Sequence, residues 1–159
     1  LGKIADILNE FKSLSEKWLK QLSPLNLKRI AFGANLLQKV ATVNEGYDFL
    51  SGFLPFSIDA KEYSDFNLQI NKFTKSRIQP DLKINRLTKW GVLTLKLELG
   101  TSPLSPTASH RYPDIHMCHL ELDINTDQSY NGIFDNNKIL NIFNELIENG
   151  IIISKSGIK

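Results

Sequence analysis

An α+β domain built on a single antiparallel sheet is the fold class this sequence predicts. Three segments with two-residue apolar alternation follow one another with no helical segment between them. That favours antiparallel pairing, because parallel strands need long crossovers. Segments with three- and four-residue apolar spacing stand near both ends of the chain. A length of 159 residues fits one domain of ordinary size. The expected order is α-β-α-β-β-β-α, with about four strands in one sheet and helices packed on one face. Residues 1–159 are read as a single α+β domain, either whole or a fragment of a longer chain.

Each element has its own signal. Ile4, Ile7, Leu8, Phe11, Leu14, Trp18 and Leu22 mark an amphipathic helix of about five turns that Pro24 ends. Its polar positions mix Lys3, Asp6, Glu10, Lys12, Glu16, Lys17 and Lys20, so core packing is expected rather than the one-signed polar face of a membrane-surface helix. In KRIAFGANLL (28–37), Ile30, Phe32, Ala34 and Leu36 share one strand face. Thr42 and Glu45 fit a capping box, opening a short helix through Tyr47, Leu50 and Phe53 that stops before Pro55. SDFNLQINKF (64–73) alternates Phe66, Leu68 and Ile70 with Asp65, Asn67, Gln69 and Asn71.

A long extended segment follows over residues 82–99. Ile84, Trp90 and Val92 occupy even positions, but Leu93, Leu95, Leu97 and Leu99 occupy odd ones. A bulge or bend at Gly91 is the expected reason. The proline-rich stretch 100–114 reads as a long loop. A fourth strand from Ile115 to Asn125 turns Cys118, Leu120, Leu122 and Ile124 inward and His119, Glu121, Asp123 and Asn125 outward. A last helix from Asp135 to Glu148 presents Ile139, Ile142, Phe143, Leu146 and Ile147, with Gly150 as its expected stop.

Composition narrows the function classes. Apolar residues at 42% and charged residues at 23% describe a globular chain, and a net charge of +2 does not by itself call for nucleic acid or a membrane. Cys118 is the one cysteine, so no internal disulfide forms, and a reducing compartment, most simply a bacterial cytoplasm, is expected. No apolar run reaches the roughly 18 residues that span a bilayer, so no membrane partner is expected. The N-terminal segment alternates charged and apolar residues, unlike a signal peptide. The chain begins at Leu1, as a piece of a longer protein or a trimmed chain would.

Familiar chemical motifs fail on spacing. The run from Asp123 to Asp127 opens like a calcium loop, but Gln128 and Phe134 stand where glycine and a bidentate acid are needed. Of the zinc-capable residues His110, His116, Cys118 and His119, only His116 and Cys118 share a strand face, and no second ligand pair exists elsewhere. No metal and no cofactor are therefore expected. There is no nucleophile elbow and no phosphate loop. Cys118 lies on an apolar face, where thiols are inert. An acid or base would have to come from Asp65, Glu98, Glu121, Asp123 or a histidine.

Charge is most uneven between residues 72 and 89. Lys72, Lys75, Arg77, Lys83, Arg86 and Lys89 stand there against Asp81 alone. Such a stretch suits phosphate contacts, with Phe73 and Trp90 as stacking candidates, but it also suits a solvated, aggregation-resistant edge.

RIAFGANLLQKVATVNEGYDFL, SDFNLQINKFTKS, INRLTKWGV and the later HLELDI strand occur in that order between about Arg29 and Gly150. In these segments the chain resembles a sporadically distributed family of bacterial proteins described only as hypothetical, marked by SDFxxQIN and INRLxKW. The resemblance implies a shared fold and a bacterial setting, with no assigned activity. The family pattern places two arginines after Ile70-Asn71; here one is Lys72 and the other is missing, which removes any argument from an arginine pair.

Asn67 and Gln69, together with Thr94, Lys96, Glu98, His119, Glu121 and Asp123, are expected to form a broad polar sheet face. Amides both donate and accept, which suits binding a peptide backbone or base edges. Asp65, Asn67, Gln69, Lys72, Arg77, Asn85, Arg86 and Lys89 are the candidate binding residues. The first expectation is a non-enzymatic interaction module of a bacterial accessory or defence system, acting through a protein partner. The alternatives are nucleic-acid binding through residues 72–89, and an enzyme with a carboxylate or histidine site near His119, Glu121 and Asp123. Oligomeric state is left open.

Overall fold

A computed structural model describes residues 2–21, 27–59, 61–96 and 112–158. The stop at Pro24, Glu98, His110 and most of the proline-rich loop lie outside the described residues. The elements are α1 (Gly2–Gln21), β1 (Ala31–Val40), α2 (Val43–Ser51), β2 (Asn67–Lys75), β3 (Lys83–Leu95), β4 (Ile115–Thr126) and α3 (Asn136–Ser156). The strands form one antiparallel sheet in the order β1-β4-β3-β2. The α+β class and the element order are those the periodicities predict.

Even-numbered strand residues face the helices. Phe32, Ile84, Trp90, Cys118, Leu120, Leu122 and Ile124 are buried there beneath Tyr47 and Leu50 of α2 and Ile139, Ile142, Leu146 and Ile147 of α3. Thr42 caps α2 by accepting from the Glu45 N–H at 3.1 Å, while Glu45 reaches back to the Ala41 N–H at 2.7 Å. The capping box thus closes one residue earlier than the usual pattern.

Two expectations are corrected. No bulge occurs at Gly91: β3 keeps one register with β2 from Asn67↔Gly91 to Lys75↔Lys83 and with β4 from Ile84↔Thr126 to Leu95↔Ile115. Leu93 and Leu95 consequently lie on the face away from the helices, exposed, while Thr94 lies on the helix side and bonds His116 at 3.0 Å. Gly150 does not stop α3, which runs to Ser156. It sits where the helix crosses β1, and a Cβ there would come within 2.7 Å of the Phe32 ring. The stop is Gly157, whose φ of 72° is strained for other residues.

The β2–β3 turn is anchored to α3. Glu145, 3% exposed, accepts from the Ser76 hydroxyl at 2.6 Å, the Arg77 N–H at 2.7 Å and Arg77 Nε at 3.2 Å. Ser76 Oγ in turn accepts from the Ile78 and Gln79 N–H groups. No helix among the described residues is long and apolar enough to cross a membrane.

Candidate functional site

The helix-free face of the sheet is laid out by four aligned rows. Leu37, His119, Gly91 and Asn67 form one row, and Asn35, Glu121, Lys89 and Gln69 form the next. Gly33, Asp123, Leu87 and Asn71 follow, then Ala31, Asn125, Asn85 and Phe73. Glycine in the middle of the first row leaves its place in the surface empty. The result is a depression of about 360 Å³, floored by Gly91 and rimmed by Asp65, Asn67, Lys89, Leu93, His119 and Glu121.

Charge beside the depression is paired. Lys89 Nζ lies 2.8 Å from Glu121 Oε1, both half-buried. His119 Nε2 and Asn35 Oδ1 are 3.0 Å apart. Farther along, Asn85 donates to Asn125 at 3.0 Å and Asn125 donates to Asp123 at 2.8 Å. Asn85 Oδ1 is buried with no partner among the described residues. Around these polar groups Leu37, Leu93 and Leu95 are exposed.

The eight candidate binding residues fall into three places. Asp65, Asn67 and Lys89 meet at the Gly91 depression, with Gln69 and Asn85 on the same face. Lys72 and Arg86 are cross-strand partners on the helix side. They line a cleft of about 160 Å³ with Thr88 and the end of α3 (Ser156, Gly157 and Ile158), where cations suit the negative end of a helix dipole. Arg77 is held at the turn, its Nη2 2.8 Å from Glu148. Bonds to Glu148 and Glu145 raise its pKa above the usual arginine value.

The basic stretch is therefore no continuous stripe. Lys75, Lys83 and Lys89 point to the open face, Lys72 and Arg86 to the helix side, and Arg77 is engaged by two carboxylates. Trp90 is buried with its indole N–H on Thr88, which removes it as a stacking surface, whereas Phe73 is exposed.

Other reactive groups have structural employment. Burial pushes the Cys118 thiol up to about 11, and its Sγ lies 3.4 Å from the Gly46 carbonyl, so little thiolate forms at neutral pH. Asp127 accepts from both the N–H and the hydroxyl of Ser129, which lowers its pKa and makes the segment a turn. His116 and His119 lie on opposite faces of β4. Among the described residues no group of three or more His, Cys, Asp and Glu side chains is placed to hold a metal ion.

Sequence reasoning missed Gly91 as the floor of the depression, although Trp-Gly-Val inside an unbroken strand was the available signal. It also placed Thr94 on the wrong face and omitted Leu37 and Leu93. No family model matches this chain, and no curated protein or solved structure is similar enough to match it. Among the described residues, the α+β fold has helices over one sheet face and none over the other.

Proposed function

We propose that this chain is a non-enzymatic interaction module that binds a protein partner on the open sheet face. The single observation that carries the reading is the composition of the surface around Gly91. Exposed Leu93 rims the depression and Leu95 continues from it along β3, exposed Leu37 shares the Gly91 row with Asn67, the amides Asn35 and Gln69 stand in the next row, and Lys89 and Glu121 neutralise one another. Leucines gain by being buried against a partner, and amides can pair with a peptide backbone. An open antiparallel face is ordinary when polar; bare leucines beside a depression point to an occupant.

Nucleic-acid binding draws less support because the cations of residues 72–89 are divided between two faces and a turn. Catalysis draws less support because Glu121 is engaged by Lys89, and His119 by Asn35. The setting belongs to the same proposal: a bacterial cytoplasmic accessory or defence system, supported by the family resemblance and the reduced, buried Cys118.

The test is a low-salt pull-down from cell extract with the wild-type chain and a Leu93→Glu/Leu95→Glu variant of unchanged fold. A stoichiometric protein retained by the wild type at moderate salt, and lost with the variant, is expected. Equal retention by both overturns the assignment of this face. Nucleic acid released steeply by salt transfers the function to the alternative reading.

A further inference from the structure

The most apolar stripe of α1 does not face the body of the protein. Helix geometry sets residues about 100° apart. Ile7, Phe11, Leu14 and Trp18 therefore fall within about 60° of one another, at the alternating four- and three-residue spacing of a helix-pairing seam. Their exposures are 61%, 44%, 72% and 61%. The covered side of α1 is the neighbouring one: Leu8, Lys12, Ser15, Glu16 and Leu19 are buried or half-buried, and Lys12 and Glu16 reach α3. Much of that contact is polar, with Lys12 3.7 Å from Glu148 and Asn144 donating to Glu16 at 3.0 Å. Only Phe11 serves both sides, its ring 5.9 Å from Phe32 and 6.2 Å from Phe143.

We infer that this stripe is the interface of a homodimer in which two α1 helices pair antiparallel about a two-fold axis. The charges choose the partner and the direction. Glu10 and Lys17 stand one heptad apart along the flank of the stripe that does not touch α3. With Phe11 set against Leu14 of a second copy, and Ile7 against Trp18, Glu10 of each copy comes beside Lys17 of the other, twice by symmetry. A parallel, in-register pair does not bring the two charges together. The opposite flank is already occupied by α3.

The area is of the right order. The four side chains expose on the order of 500 Å² per copy, at the upper end of patches on soluble monomers. Two copies bury about 1,000 Å², the threshold for a specific interface, before the polar flanks are counted. This surface lies apart from the open sheet face, so the two binding events are separable.

Sedimentation velocity of the full chain at micromolar concentration tests the inference. The wild type should sediment at twice the chain mass, with concentration-dependent blue shift of the Trp18 emission; Trp90, the other tryptophan, is already buried. Leu14→Glu should give a monomer with unchanged circular dichroism, whose unfolding midpoint matches that of the wild type diluted below dimer formation. Glu10→Lys and Lys17→Glu should each weaken the dimer several-fold, and the double swap should restore it. A wild-type monomer, or a dimer that survives Leu14→Glu, overturns the interface. A dimer indifferent to both charge reversals overturns the antiparallel arrangement. Persistence of the pull-down partner with Leu14→Glu is expected and keeps the two surfaces distinguishable.

Discussion

α1 and α3 are near equals in length, at 20 and 21 residues, and each carries an apolar stripe. Their fates differ. Ile142, Leu146 and Ile147 of α3 are fully buried against the sheet, whereas Ile7, Leu14 and Trp18 of α1 face outward. The difference teaches that amphipathic spacing announces a face that needs covering without naming what covers it. α3 lies directly on the strands, so its stripe meets the apolar side of the sheet. α1 lies on α3, whose outer surface is largely polar, and the contact uses the side of α1 that can match it.

The largest expected effect is at the centre of α3. Leu146→Ala removes a fully buried side chain and should cost about 2–5 kcal/mol in urea unfolding. Leu14→Ala should change stability by no more than about 0.5 kcal/mol when unfolding is followed at concentrations below those of dimer formation. Comparable losses from the two would erase the contrast and place α1 within the core.

The next effect concerns the carboxylate that binds α3 to the β2–β3 turn. Glu145→Gln replaces a buried charge that accepts from Ser76 and Arg77 with an amide whose NH₂ must face one of those donors. A loss of about 2 kcal/mol is expected in the same assay. The corresponding change on α1, Glu16→Gln, meets Asn144 alone among the described residues and should be nearly silent.

A smaller effect with an informative sign is expected at Gly150. In an exposed helix, Gly→Ala stabilises by up to about 1 kcal/mol. Here the new methyl meets the buried Phe32 ring, so thermal unfolding should show a net loss of about 1 kcal/mol. A gain would mean that α3 rides loosely on β1.

These contrasts also explain how far the sequence could be read. Element order, the Thr42 cap and the inward set Cys118, Leu120, Leu122 and Ile124 were legible because local patterns report them directly. Gly150 misled because a terminating glycine and one that permits close packing look alike in sequence. Leu93 and Leu95 misled because the parity rule equates apolar with covered, and a sheet face that leaves leucines exposed breaks that equation. The Gly91 depression brings Asp65 together with His119, residues 54 positions apart, and depends on β3 lying between β2 and β4, a strand order no local pattern carries.

The smallest expected effect tests how firmly α1 is held. Lys12 and Glu148 are 3.7 Å apart with side chains 31% and 46% exposed, so solvent screens their attraction. Lys12→Ala should lower stability by no more than about 0.5 kcal/mol. Raising the salt should bring the wild type down to the variant, because screening removes from the wild type the attraction that the variant already lacks. Backbone amides of α1 should exchange faster than those of α3 in both proteins, since α1 is joined to the body chiefly through Leu8, Phe11 and a few polar contacts. A loss well above about 1 kcal/mol, or α1 amides as protected as those of α3 in the monomer, would mean the helix is locked to the body by its polar face. The exposed stripe would then be a rigid, preformed surface, and the association of two copies would owe nothing to ordering of α1.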